Sequence, residues 1–216
     1  MTAATELELA ILISGRGSNM TALARACQAG TLPARVAVVI ADREAAGGLG
    51  SARELGIATE TVAPVRDTVE FERALEALIE RYRPGALALA GFMRVLSASF
   101  VARYLGRIFN IHPSLLPKYR GLHTHRRVLE AHETEHGASV HFVTPELDAG
   151  PVVLQSRVRV HAGDTEASLA ARVLATEHVI YPRALGWFAA GRLAWRDGGA
   201  WLDGRRLEAP VVEDFS

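Results

Sequence analysis

Between Leu9 and Ala90, short continuous apolar runs alternate with amphipathic stretches, and that rhythm leaves few folds open. Leu9 to Ser14, Val36 to Ala41, Thr59 to Val62 and Ala86 to Ala90 read as strands. Asn19 to Ala29 (closed by Gly30), Gly48 to Leu55 (closed by Gly56) and Thr68 to Tyr82 read as helices. Strands that are apolar along their whole length must be covered on both faces, so a β-α-β-α-β-α-β order predicts a parallel, Rossmann-like α/β sheet. Ligands of such a sheet lie at the carboxyl ends of its strands.

The second half changes rhythm. A short helix at Ser97 to Tyr104 leads to a strand at Ile108 to Ile111, then to a Pro-, Gly- and His-rich loop from Pro113 to Thr124. Arg126 to Glu133 reads as helix, and Ser139 to Val143 with Val152 to Val160 as an antiparallel pair, so the sheet is expected to be mixed. Glu166 to Ala190 is a long amphipathic helix that Pro182 should kink or break, and Trp195 to Leu202 is a hairpin around Gly198-Gly199. With no repeat or linker, residues 1–216 are expected to form one domain, a phosphate-binding half to about 106 and a second half from about 107.

Two segments carry chemistry. Gly15-Arg16-Gly17-Ser18-Asn19 follows the first strand and opens the first helix, where bare N–H groups and the helix dipole favour an anion. A dinucleotide is the competing ligand, since Asp42 ends the second strand where a ribose contact belongs. Met20, however, stands at the third fingerprint glycine, and no Walker lysine follows. A phosphate is favoured, with a dinucleotide and a purely structural turn as alternatives. Further on, Asn110 and His112 leave the same face of an extended strand, and Asp148 lies in a Glu-Leu-Asp-Ala-Gly-Pro turn. Each alone is as readily a turn residue or a satisfied core histidine. Together they make an amide donor, an imidazole and a carboxylate that would favour the charged ring, which suits oxyanion stabilisation in acyl transfer.

The remaining histidines raise the question of a metal. His123 and His125 are two apart and are expected in a mobile loop near the site, while His132 and His136 share a helical spacing and are expected on a solvated face. No HExxH or cysteine pair accompanies them, so no metal is expected. His141 is placed to support the Asp148 loop by hydrogen bonding.

Lys plus Arg and Asp plus Glu both number 24, so no global field recruits nucleic acid or an anionic membrane. A single cysteine, Cys27, excludes an internal disulfide framework. The start of the chain has no basic leader and no apolar run is long enough to span a bilayer, so a cytoplasmic location is expected. Monomer and homodimer both stay open.

At these residues the chain resembles the folate-dependent formyltransferases, with the pattern of those acting on glycinamide ribonucleotide in purine biosynthesis. The matching pieces, in order, are SGRGSN (14–19), LAGFMRVLS (89–97), NIHPSLLPKYRGLHTH (110–125), GASVHFV (137–143), ELDAGPVVLQ (146–155), EHVIYP (177–182) and WLDG (201–204). The resemblance implies the formyltransferase fold, a three-layer α/β/α arrangement, and transfer of a formyl group from 10-formyltetrahydrofolate to an amine, without a metal. It places Gly17, Ser18 and Asn19 on the substrate phosphate and Glu177 near the glycinamide end. Met93, Arg94, Val95 and Leu96 would line the folate cleft, with Asn110 beside it. The backbone of Val143, Thr144, Pro145, Glu146 and Leu147 would hold the pterin ring. Asn110, His112 and Asp148 match the catalytic trio. A methionyl-tRNA formyltransferase or a formyltetrahydrofolate deformylase is the nearest rival, and a non-catalytic nucleotide-binding module the rival from another class. Three departures stand out: Arg16 adds charge at the phosphate loop, Thr68 occupies the place of a folate-tail arginine of some relatives, with replacement by Arg66 left open, and Leu174 replaces a polar residue three positions before Glu177.

Overall fold

A computed structural model describes residues 6–62, 65 and 67–216. Arg66 lies outside the described residues. In chain order the elements are β1 (Leu7–Ile13), α1 (Ser18–Gln28), β2 (Ala34–Ala41), α2 (Gly48–Glu54), β3 (Thr59–Thr61), α3 (Thr68–Tyr82), β4 (Ala86–Leu89), α4 (Ala98–Arg103) and β5 (Ile108–His112). They continue with α5 (Thr124–Glu130), β6 (Glu135–Phe142), β7 (Val152–Arg159), α6 (Glu166–Ala189), β8 (Leu193–Arg196), β9 (Gly199–Leu202), β10 (Arg205–Arg206) and β11 (Val211–Asp214).

Eight strands form one sheet in the order β11-β7-β6-β5-β4-β1-β2-β3, and β8, β9 and β10 form a small second sheet. The strands from β3 to β5 are parallel, β6 is antiparallel to both β5 and β7, and β11 returns parallel to β7. Period-two alternation divides β1 between two cores: Leu9, Ile11 and Ile13 pack with α1, α2 and α6, while Ala10 and Leu12 pack with α3 and α4. The sheet is therefore a middle layer, as the continuous apolar strands require. The chain order reverses between β1 and β4, a topological switch point with β1 followed by the Gly15-to-Asn19 loop and β4 by the segment 90–97.

Several boundaries differ from the sequence expectation. β6 starts at Glu135, because His136 and Gly137 join the ladder opposite Val158 and Arg157. α5 starts at Thr124, so His125 is helical and not in a loop. Pro182 does not break α6, which runs unbroken from a Thr165–Ser168 capping box to Ala189. An interior proline costs about 3 kcal/mol, yet Ile180, Tyr181, Ala184 and Leu185 on both sides of it are fully buried. The Tyr181 hydroxyl also donates into the sheet, at 3.0 Å from the Leu89 carbonyl and 3.1 Å from that of Phe109. Packing holds the helix through the defect. β10 and β11 were not foreseen, being two and four residues long with charged side chains at the sheet edge.

Candidate active site

A cleft of about 600 Å³ opens at the carboxyl ends of β4 and β5. Asn19 and Glu177 line it at one place, Met93 to Leu96 at another, and Asn110, His112 and the segment from Val143 to Asp148 complete the wall. Gly17 and Ser18 adjoin Asn19 at the start of α1 and are not part of that lining. His123 and His125, expected near the site, also face the cleft, as does His141; Gly121, Leu122, Thr124, Phe92 and Glu166 line it too, and sequence reasoning had not assigned them to it.

The Gly15-to-Asn19 loop owes its shape to a close backbone approach. Gly17 has φ 74°, and a Cβ there would lie 2.8 Å from the Gly48 Cα. Gly48 N–H in turn donates to the Gly15 carbonyl at 3.0 Å. No side chain caps α1, so its first N–H groups are free for an anion. The Asn19 side chain turns elsewhere: its Nδ2–H donates to Glu177 Oε2 at 2.6 Å, while its Oδ1 is buried without a partner. Burial raises the Glu177 pKa, a shift opposed by that hydrogen bond.

Register explains the trio. Asn110 and His112 project from one face of β5, and the antiparallel ladder sets His141 of β6 directly across from Asn110. His141 Nδ1–H donates to the Phe142 carbonyl at 2.8 Å, leaving Nε2 to accept from Asn110 Nδ2–H at 3.2 Å. Burial holds the His141 pKa down at about 4, against the opposing pull of the Phe142 carbonyl and Asp148. The neutral ring thus orients the Asn110 amide. His141 Nε2 is 3.8 Å from Asp148 Oδ1, so its hydrogen bond serves Asn110 and not the Asp148 loop.

His112 is buried with acceptors at both ring nitrogens, the Tyr119 carbonyl 3.0 Å from Nε2 and Asp148 Oδ2 3.4 Å from Nδ1. With Nε2–H donating to the Tyr119 carbonyl, Nδ1 faces the Asp148 carboxylate. Asp148 reaches this place in a left-handed conformation (φ 48°), and its Oδ2 also accepts from Gly121 N–H at 2.9 Å. Two residues on, a Cβ on Gly150 would lie 1.8 Å from the Phe142 carbonyl oxygen, so glycine is what lets this turn fold back against the end of β6.

The other histidines depart from expectation. His132 is exposed, but His136 is 1% exposed within β6, and its Nε2 lies 3.0 Å from His125 Nδ1. Burial lowers both pKa values, that of His136 to about 4, with the neighbouring ring adding to the His136 shift. His123 is exposed at the N-cap of α5. Among the described residues, no group of three or more His, Cys, Asp or Glu is arranged to hold a metal. No helix of the described residues is long and apolar enough to cross a membrane.

The model of the formyl transferase family matches residues 7–185. Over 203 residues the chain is 52% identical to phosphoribosylglycinamide formyltransferase of Escherichia coli (strain K12), covering 93% of this chain and 96% of that one. The chain belongs to the phosphoribosylglycinamide formyltransferase family. A solved phosphoribosylglycinamide formyltransferase from Coxiella burnetii superposes with a TM-score of 0.91 at 46% identity, over 95% of this chain and 98% of that one. The trifunctional purine biosynthetic protein adenosine-3 of Homo sapiens is 40% identical over 193 residues, which are 88% of this chain and 19% of the human protein. Among the described residues, no serine or cysteine lines this formyltransferase cleft. Cys27 is half-buried elsewhere, its thiol pushed up to about 11 mainly by burial.

Proposed function

We propose that this formyltransferase moves the formyl group of 10-formyltetrahydrofolate to the amine of glycinamide ribonucleotide, a step of purine biosynthesis. The observation that carries the reading is the position of Asn110, His112 and Asp148 between two different ends of one cleft. One end has the uncapped start of α1 with Asn19 and Glu177, suited to a phosphorylated ribosyl substrate. The other has Met93, exposed at 62%, and Val95, at 68%, opposite the backbone of Val143 to Leu147, suited to a flat apolar heterocycle. The relative from E. coli carries the same activity in its name and matches over nearly its whole length, which favours this substrate over transfer RNA or water.

In this mechanism the substrate amine attacks the formyl carbon and a new C–N bond forms. Negative charge gathers on the formyl oxygen, where the free Asn110 N–H donates to it, worth about 3 kcal/mol for such a donor, and the charge of the His112 ring stabilises it further. Collapse breaks the bond to the folate nitrogen N10, which takes up the proton that the amine has lost, relayed by the site. Asp148 pairs with the charged ring throughout.

Supplying 10-formyltetrahydrofolate with glycinamide ribonucleotide, formylatable methionyl-tRNA or water as acceptor tests the proposal. Formyl transfer to the first alone is expected. Asn110→Ala, His112→Ala and Asp148→Asn should each lower kcat by roughly 10²- to 10³-fold with much smaller changes in KM. Transfer to another acceptor, or near-normal turnover in all three variants, refutes it.

A further inference from the structure

Asp42 directly follows β2 and does not itself line the cleft, yet its side chain is only 2% exposed and carries more partners than a surface carboxylate needs. Arg43 grips it with Nε and Nη2 at 3.0 and 3.1 Å, and Arg94 Nε lies 3.8 Å from Oδ2. The Ser14 side chain is a further neighbour that favours the charged carboxylate. Burial alone would raise its pKa, but these partners together hold the carboxyl below its ordinary value.

The Ser14 hydroxyl links this carboxylate to the folate side of the cleft. Ser14 Oγ accepts from the Met93 N–H at 2.8 Å, which leaves its single proton for the Asp42 carboxylate beside it. Ser14 N–H donates to the Gly91 carbonyl at 3.1 Å, so the segment from Gly91 to Met93 hangs on this one buried serine. Arg94 adds a second attachment, with its guanidinium 4.1 Å over the Phe71 ring and Nη2–H donating to the Val65 carbonyl at 2.8 Å. Beyond it, Glu72 accepts from Ser97 N–H at 2.6 Å and anchors the far end of the same segment.

We infer that Asp42 is a positioning residue for folate binding: through the Ser14 hydroxyl and Arg94 it sets where Met93 to Leu96 meet the pterin. This inference rests on the proposed 10-formyltetrahydrofolate reading of that wall. Met93 and Val95 are largely exposed and have little packing of their own to hold them, so their position depends on the backbone beneath.

The test measures steady-state kinetics and, separately, calorimetric binding of 5-formyltetrahydrofolate for the wild type, Asp42→Asn, Ser14→Ala, the double variant and Arg43→Gln. Asp42→Asn and Ser14→Ala should each raise the folate KM and Kd about tenfold, the size of one hydrogen bond to a charged group. The KM for glycinamide ribonucleotide and kcat should stay within about twofold. Because both variants break one relay, the double variant should be little worse than either alone. Arg43→Gln, which removes only the exposed partner, should leave the folate KM unchanged. An unchanged folate Kd in both single variants, additive losses, or equal damage to both substrates overturns the inference. If the wild type itself binds no folate, the functional reading fails instead.

Discussion

Replacing His136 by Gln should flatten the acid side of the stability profile. His136 is 1% exposed in β6, and its pKa is held at about 4 by burial first, then by the adjacent His125 ring and by His112, against Glu133. The sign follows from the direction of the shift. A histidine whose pKa is depressed in the fold is neutral there, so its contribution is intact above the ordinary value of 6.5 and is lost as pH falls toward 4. With those two values, linkage removes about 2 kcal/mol between pH 7.5 and pH 5, since the unfolded chain takes the proton and the folded one refuses it. His125 shifts in the same direction, and a proton on both rings would set two charges 3.0 Å apart at the facing nitrogens. Urea unfolding at closely spaced pH values, in the wild type and His136→Gln, isolates the term. His141 titrates in the same window in both proteins and cancels in the difference. The wild type should lose about 2 kcal/mol more than the variant over that interval. Parallel profiles would show that the buried His136 imidazole carries no such penalty.

Two further outcomes follow from single contacts. Gly17→Ala puts a methyl group against Gly48 at a positive φ, so it should raise the KM for glycinamide ribonucleotide by about tenfold or more while sparing the folate KM, as measured by initial rates. Tyr181→Phe leaves the Leu89 and Phe109 carbonyls without their shared donor and should cost about 1–3 kcal/mol of stability in urea unfolding, with the formyl-transfer rate under native conditions little changed.

Legibility in the sequence followed the range of the forces involved. Apolar runs such as that of β1 showed themselves because burial on two faces demands a continuous local pattern. The Asn110 and His112 pair was visible for the same reason, since a strand sends alternate side chains to one face. β11 left no such trace, because an edge strand of alternating half-buried and exposed residues is defined by its partner β7 and not by its own composition. Pro182 misled because local propensity was read without the packing of Ile180, Tyr181, Ala184 and Leu185 that overrides it. His136 misled because a four-residue spacing from His132 suits a helix, whereas the chain is extended there and pairs with β7.

By itself the sequence determined an α/β sheet, a glycine loop between the first strand and the first helix, and an amide, an imidazole and a carboxylate belonging together. All of these are patterns over neighbouring residues or pieces of a recognisable set. Only the tertiary structure decided that His141 orients Asn110, that the half-buried His125 pairs with the buried His136, and that Ser14 holds the Met93 segment. Each depends on strand register or on which helix covers which face. Those relations are set by the free energy of the whole core and are written in no short stretch of chain.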